Sequence, residues 1–364
     1  MSRPSRRAAA VVIALLTAMV LTASPSPTTA APCTAVVATI DIDPGPSAET
    51  PINSVLVGDT LYVADYINDQ LLTVDTATNA VVGAPIPMPG LPEGLLLRGT
   101  DLWVTNVATD QVVVVDTTTN TVSAPIPTGD APLWITEQGG HLFTANFFDD
   151  TVTVIDPVTR TVVGGPIASG AGTRRLAGAN GSVYVPNLDA DQLTVIDATT
   201  LAVTGTIAVG VQPVSAIVID GLLYVSNIGS GTVSVVDPTT NTLTATITGL
   251  PGVTGLVELD GYLYASLSDD AQVAVVDLAT RDVVDTIDVG ESPAYGSATA
   301  DAVYVSDFDS GTISVLGEGC AATTTTTSTT STSTTSTSTT TTSTVAPTTT
   351  NAATPVRAAP TFTG

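Results

Sequence analysis

A four-residue motif of the form Tyr-Val-x-Asn recurs seven times along this chain at a nearly constant period. The copies begin at Tyr62, Trp103, Phe143, Tyr184, Tyr224, Tyr264 and Tyr304, at intervals of 40 or 41 residues. A second marker, Val or Ile followed by Asp, keeps the same phase at Asp75, Asp116, Asp156, Asp197, Asp237 and Asp277. Two independent markers that stay in phase over successive units require a repeat architecture. The length of the period then limits which one.

Each unit reads as four short strands. Around Tyr224, Val214 to Ile219 is apolar and precedes Asp220-Gly221, a turn pair. Leu222 to Ser226 and Thr232 to Val236 follow, then a turn from Asp237 to Asn241 and a last strand from Leu243 to Ile247. Val and Thr favour strands, while Asp, Asn, Gly and Pro mark the turns. Charged residues make up only 12% of the chain, and no segment carries a 3.6-residue apolar period, so stacked helical repeats are excluded. Four strands in about 40 residues form one blade of a β-propeller, so the expected fold is all-β and seven-bladed.

The stretches YVADYINDQLLTVDTATN, WVTNVATDQVVVVDTTTN and YVSNIGSGTVSVVDPTTNTLTATI resemble the YVTN-repeat family of secreted and surface β-propellers. The resemblance spans roughly residues 33 to 320 and implies a surface-associated binding module. The motif's Asn is replaced by Leu267 in the sixth unit and by Asp65 and Asp307 in the first and last.

The two ends of the repeat region complement each other. The last unit, Tyr304 to Leu316, stops after its third strand, and Ala38-Thr39-Ile40 matches the outer-strand residues Ala245-Thr246-Ile247. One blade is therefore expected to draw strands from both chain ends. Counted in this register, Cys33 and Cys320 both fall on the position of Thr240, in the turn between the third and fourth strands. A disulfide there would replace the missing peptide connection. Closing so long a loop contributes up to about 5–6 kcal/mol in the chain-entropy account.

Three segments follow: a signal peptide over residues 1–31, the propeller over 32–320 and a disordered stalk over 321–364. Arg3, Arg6 and Arg7 precede an uncharged apolar run from Ala8 to Ala23, too short to span a membrane, with small residues at Thr28 and Ala30 for cleavage. Thr323 to Thr344 is almost pure Thr and Ser and lacks the apolar residues a core needs. The full chain carries a formal charge of −25, with Arg as its only strong base. Such acidity disfavours nucleic acid and anionic lipid, so neither nucleic-acid binding nor membrane insertion after signal removal is expected.

Catalytic constellations are sparse. His141 is the only His and aligns with a turn between the first and second strands. The repeated Asn and Asp positions read as turn formers. Asn187-Leu-Asp189-Ala-Asp191 has the alternating oxygens that open a calcium loop, but not its Gly or distant Glu; solvated turns are the simpler reading. Units differ most at the two residues starting each inner strand, where propeller ligands meet the central funnel. Arg174 and Arg175, two of only five Arg in the propeller, fall together there, with Glu93, Trp134 and Tyr295 at the equivalent places of other units. These five form the candidate ligand site. Either the Arg pair accepts an anion beside aromatic stacking surfaces, or it is neutralised by Glu93 and plugs the channel.

The expected function is a monomeric, non-enzymatic, extracellular or cell-surface binding and scaffold propeller, with an anionic ligand or a protein as partner. No cofactor or metal is expected. The alternative is a secreted lactonase-like hydrolase or lyase acting through the funnel, for which Glu93 and Glu49 are the nearest acids.

Overall fold

The protein is described here by a computed structural model covering residues 31–42 and 50–317. The leader (Ala31 apart), Glu49, Cys320 and the Thr/Ser segment over 321–364 lie outside the described residues. Seven antiparallel sheets follow one another in chain order. Blade 1 comprises Pro51–Val57, Thr60–Asp65, Gln70–Asp75 and Ala80–Pro87. Blade 5 comprises Pro213–Ile219, Leu222–Asn227, Thr232–Asp237 and Thr242–Thr248, each within about a residue of the boundaries expected from sequence. The outer strands of blades 2 and 3 are interrupted near Pro125 and Gly164-Gly165-Pro166, where a ladder donor is missing or the backbone turns left-handed. No α-helix occurs among the described residues, and none of their helices could cross a membrane.

Blade 7 takes its first three strands, Pro293–Ala298, Val303–Asp307 and Thr312–Gly317, from one end of the repeat region and its fourth, Ala35–Asp41, from the other. Ile40 pairs with Ile313 and Thr39 with Ser314, as Ile247 pairs with Val233 and Thr246 with Ser234 in blade 5. A bulge lies at the matching place in both pairs. The register deduced from sequence therefore holds residue for residue.

Apolar burial is divided into seven clusters, each lying between two neighbouring blades. The second and third strands are consequently buried on both faces, as in Leu61–Asp65 and Leu71–Val74. They read as continuous apolar runs, with alternation lost. Outer strands bury little beyond one Ile, such as Ile40, Ile86, Ile207, Ile247 or Ile287. Each such side chain stabilises its interface by about 1.5–3 kcal/mol.

Polar devices tie one blade to the next. The motif Tyr hydroxyl reaches the turn between the third and fourth strands of the following blade. Tyr62 donates to Asn120 Oδ1 at 3.0 Å, Tyr184 to Asn241 Oδ1 at 2.6 Å and Tyr304 to Asn79 Oδ1 at 3.1 Å. Tyr264 reaches the same place in blade 7, where its hydroxyl accepts from Cys33 N at 2.6 Å. Cys33 is fully buried there and is not a free thiol.

The motif's fourth residue is a buried loop clamp. Asn227 Nδ2 donates to Thr232 Oγ1 at 3.2 Å and Ser234 Oγ at 3.0 Å. In blade 7, Asp307 instead accepts from Thr312 and Ser314 through Oδ2, while its buried Oδ1 has no partner. Burial pushes this carboxyl up to about 6, against the pull of those hydroxyls. A carboxyl raised on folding contributes stability that is present below its unfolded value and lost as pH rises through the folded one. Asp307→Asn installs the residue that blades 2 to 5 use at this position. The variant should match the wild type in denaturant midpoint at about pH 4 and exceed its stability by about 1–3 kcal/mol at about pH 8. Parallel pH profiles for the two proteins would refute this.

Candidate functional site

The inner strand of blade 4 is the irregular one, and the cause lies in its partner. Pro186 occupies the second strand, and its carbonyl accepts from Arg174 N at 2.9 Å, so this residue's ladder side faces the inner strand. A proline there has no N–H to give. Regular pairing resumes only at Ala177–Ala179. Between, the Arg175 backbone crosses to blade 5: its N–H donates to Val214 O at 3.3 Å, and its carbonyl accepts from Ala216 N at 3.1 Å. This excursion accompanies a division of the Arg pair between two environments.

Arg175 fills the mouth of the channel. It retains 1% of its exposure, and its Nη2 lies 3.2 Å from Glu93 Oε1 of blade 2. Its guanidinium sits 4.2 Å from the centroid of Trp134, from blade 3, and packs on the ring of Tyr295, from blade 7. Those two rings lie 6.0 Å apart, tilted by 44°. Nε and Nη1 of Arg175 are buried without hydrogen-bond partners, so the π-faces and Glu93 carry the charge. Burial pushes the Glu93 carboxyl upward while Arg175 draws it back. Burial likewise lowers Arg175 to about 10, leaving it cationic at neutral pH. The backbone around the cluster is crowded: a Cβ at Gly94 would lie 2.9 Å from Trp134 Cα.

Arg174 takes the other direction. Half-buried, it lines an open cup of about 590 Å³ beside the plug, and its guanidinium stacks 4.3 Å from the centroid of Phe147. It makes no ion pair among the described residues, and its buried Nε has no hydrogen-bond partner. Tyr66, Phe148, Leu133 and the open edge of Tyr295 form much of the remaining wall. Phe148 keeps 71% of its exposure.

The acids on this face are largely occupied. Asp69, Asp110, Asp150 and Asp191 each accept through Oδ1 from the backbone at the start of the next blade's inner strand, at Leu91, Ala131, Gly172 and Gln212. Those four acceptors hold left-handed residues in place just before the strands begin. Asp191, read from sequence as the end of a calcium-like stretch, is thus a backbone clamp. No cluster of metal-ligating residues occurs among the described residues. His141 opens the second strand of blade 3, next to Asp156 at the far end of the inner strand from Arg174. The Asp75-to-Asp277 series caps turns, as where Asp237 Oδ1 accepts from Thr239 N at 2.7 Å.

All five residues singled out from sequence lie at this mouth, but Arg174 and Arg175 do different things there. Tyr66, Phe147 and Phe148 also belong to this mouth, but they lie outside the inner-strand starts that the sequence singles out. They follow the motif's fourth residue, in loops that share the same face. Bulky aromatics at Tyr66 and Phe147, where other units carry Val107, Leu188 or Ile228, and at Phe148, where they carry Ala108, Asp189 or Gly229, are the signal that marks them.

No protein-family model matches the sequence, nor does any curated protein. Solved structures do. A chain of hydrazine synthase from Kuenenia stuttgartiensis is similar over 76% of this chain and 97% of its own, at 16% identity and a TM-score of 0.65. The WD40 β-propeller domain of Doa1 is similar over 78% and 96%, at 12% identity and 0.64. The likeness is one of fold. At such identities it carries no activity across to this chain.

Removing one member of the buried pair leaves the other uncompensated. Arg175→Met alone should cost about 3–5 kcal/mol, and Glu93→Gln added to it should recover much of that loss. Chemical denaturation of the two single variants and the double variant measures the coupling. Strict additivity would show that the pair does not hold the plug together.

Proposed function

We propose that this protein is an exported, non-enzymatic propeller of the YVTN-repeat type that binds a ligand on the face where its inner strands begin. The carrying observation is the contrast at the channel mouth. One arginine is sealed between two aromatic rings and a carboxylate, while its neighbour stands without an ion pair in an open aromatic cup. A filled mouth supports a binding and scaffold role over a hydrolase working down the funnel, which would need that space for its substrate. The cup's volume suits a small molecule or one anchoring side chain of a partner.

Export rests on the leader, and it goes with a Cys33–Cys320 disulfide closing blade 7, since such bonds persist outside the cell. The burial of Cys33 beneath the Tyr264 hydroxyl supports the pairing. The Thr/Ser-rich stretch after residue 320 would then act as a spacer holding the ring near the cell surface.

Protein collected from culture medium should begin near Ala31, and mass spectrometry without reduction should find Cys33 joined to Cys320. Recovery only inside the cell, uncleaved and with both thiols free, would overturn export. In a thermal-shift panel of small acids, amines and sugars, at least one class should raise Tm by a few degrees, as a bound ligand does above its Kd. That shift should disappear in Phe148→Ala. Turnover of lactones or esters by the purified protein would overturn the non-enzymatic reading.

A further inference from the structure

Resting on the proposed role of this face as a binding surface, we infer that the cup selects a small monocarboxylate with an aromatic or bulky apolar body, Arg174 holding its carboxylate. The charge follows from what is left unpaired. Arg98, Arg160 and Arg175 are each engaged by an acid, namely Glu137, Asp101 and Glu93. Of the two that have none, Arg281 is exposed on an outer turn, whereas Arg174 is half-buried, with a buried Nε lacking an acceptor. A guanidinium in that state gains most from a planar, two-oxygen anion that matches its fork. Stacking on Phe147 holds the side chain and leaves its N–H edge for the ligand.

A single negative charge follows from the remaining wall. Asp110 and Asp130 line the same cup, and Glu93 contributes to its floor. Asp110 is fixed by its bond from Ala131 N, so it cannot swing away to make room for a second anionic group. With Glu93 paired to Arg175, a dianion would meet one free cation and two carboxylates, Asp110 and Asp130, whereas a monoanion can keep to the Arg174 side. The strongly acidic surface of the protein as a whole pushes in the same direction.

The apolar body follows from the other lining. Tyr66, Phe148, Leu133 and Tyr295 present aromatic and aliphatic surface, and the Phe148 ring projects at the rim with most of its area in water. Phe147 and Phe148 lie 5.0 Å apart at a tilt of 57°, an arrangement that leaves a face of the exposed Phe148 ring open to an incoming one. A volume near 590 Å³ fits a phenyl-sized group with a short chain.

Isothermal titration of the full chain with 3-phenylpropanoate, 3-phenylpropan-1-ol and 2-benzylsuccinate tests charge, body and valence separately. The monoacid should bind saturably, at least about tenfold tighter than the alcohol and about fivefold tighter than the diacid. Arg174→Gln should bring the monoacid down to the level of the alcohol, and Arg174→Lys should leave it intermediate, with unchanged Tm as the check on folding. Phe148→Ala, at an exposed site, should weaken acid and alcohol alike. Equal affinity for acid and alcohol, or a monoacid affinity unaffected by Arg174→Gln, would overturn the inference. If the alcohol binds and Phe148→Ala abolishes it, the cup remains a binding site and only the carboxylate assignment falls. Absence of saturable binding by all three probes overturns the ligand class altogether.

Discussion

Ring closure is the constraint on which the rest of this structure depends. A blade here has no core of its own. Each of the seven apolar clusters lies between two blades, so a blade is covered on both faces only if it has two neighbours. An open row of the same units would leave two sheet faces of Val and Leu in water. The strand Ala35–Asp41 prevents this, because Ile40 and Ile42 pack with Leu61, Val63 and Tyr304 at the junction of blades 7 and 1. The same strand covers Thr312–Gly317, whose edge would otherwise be exposed to pairing with another chain. Closure also explains why the tethers run in one direction. Every motif tyrosine described above reaches forward to the next blade's outer turn, and Tyr304 completes the circuit at Thr76 and Asn79.

Whatever repeats was legible in the sequence, because repetition is how a closed ring is specified. The 40-residue period, the strand boundaries of blade 5 and the placing of Thr39 opposite Ser314 all follow from aligning the units. The turn role of Asp237 and its equivalents was equally readable, since one carboxylate two residues before a backbone N–H is a local arrangement. The tyrosine tethers were not readable in the same way. They join residues more than 50 positions apart, and a sequence shows only that an aromatic is wanted there. Trp103 and Phe143 occupy the position without a hydroxyl, so packing alone satisfies it, at the cost of an unpartnered Trp103 Nε1.

The site was legible only in outline. Sequence divergence among units pointed to Arg174, Arg175, Trp134, Glu93 and Tyr295, and they do gather at one mouth. It did not tell the two arginines apart. Their separation accompanies a break in the ladder at Pro186, which reads in the sequence as an ordinary strand residue. That break becomes visible only once Arg175 is seen bonded to Val214 and Ala216 of the next blade. Phe147 and Phe148 are not marked in the same way, because the face is built from two sets of loops and they belong to the set away from the inner-strand starts.

The division of labour between adjacent arginines follows from solvation. A guanidinium withdrawn fully from water must be compensated on all sides, and Arg175 has two ring faces and one carboxylate for that purpose. That enclosure leaves a ligand no access to Arg175, even at the Nε and Nη1 groups that lack acceptors, and it fixes Glu93, Trp134 and Tyr295 as well. Arg174 has a single ring beneath it and no ion pair among the described residues. It is therefore the group on this face whose charge a binding partner can still improve, and the rigid plug next to it supplies the wall against which that partner would be held. Because Arg175 already neutralises one oxygen of Glu93, the field at the cup is less negative than the protein's composition implies. An acidic ring can in this way keep one place where a single negative charge is welcome.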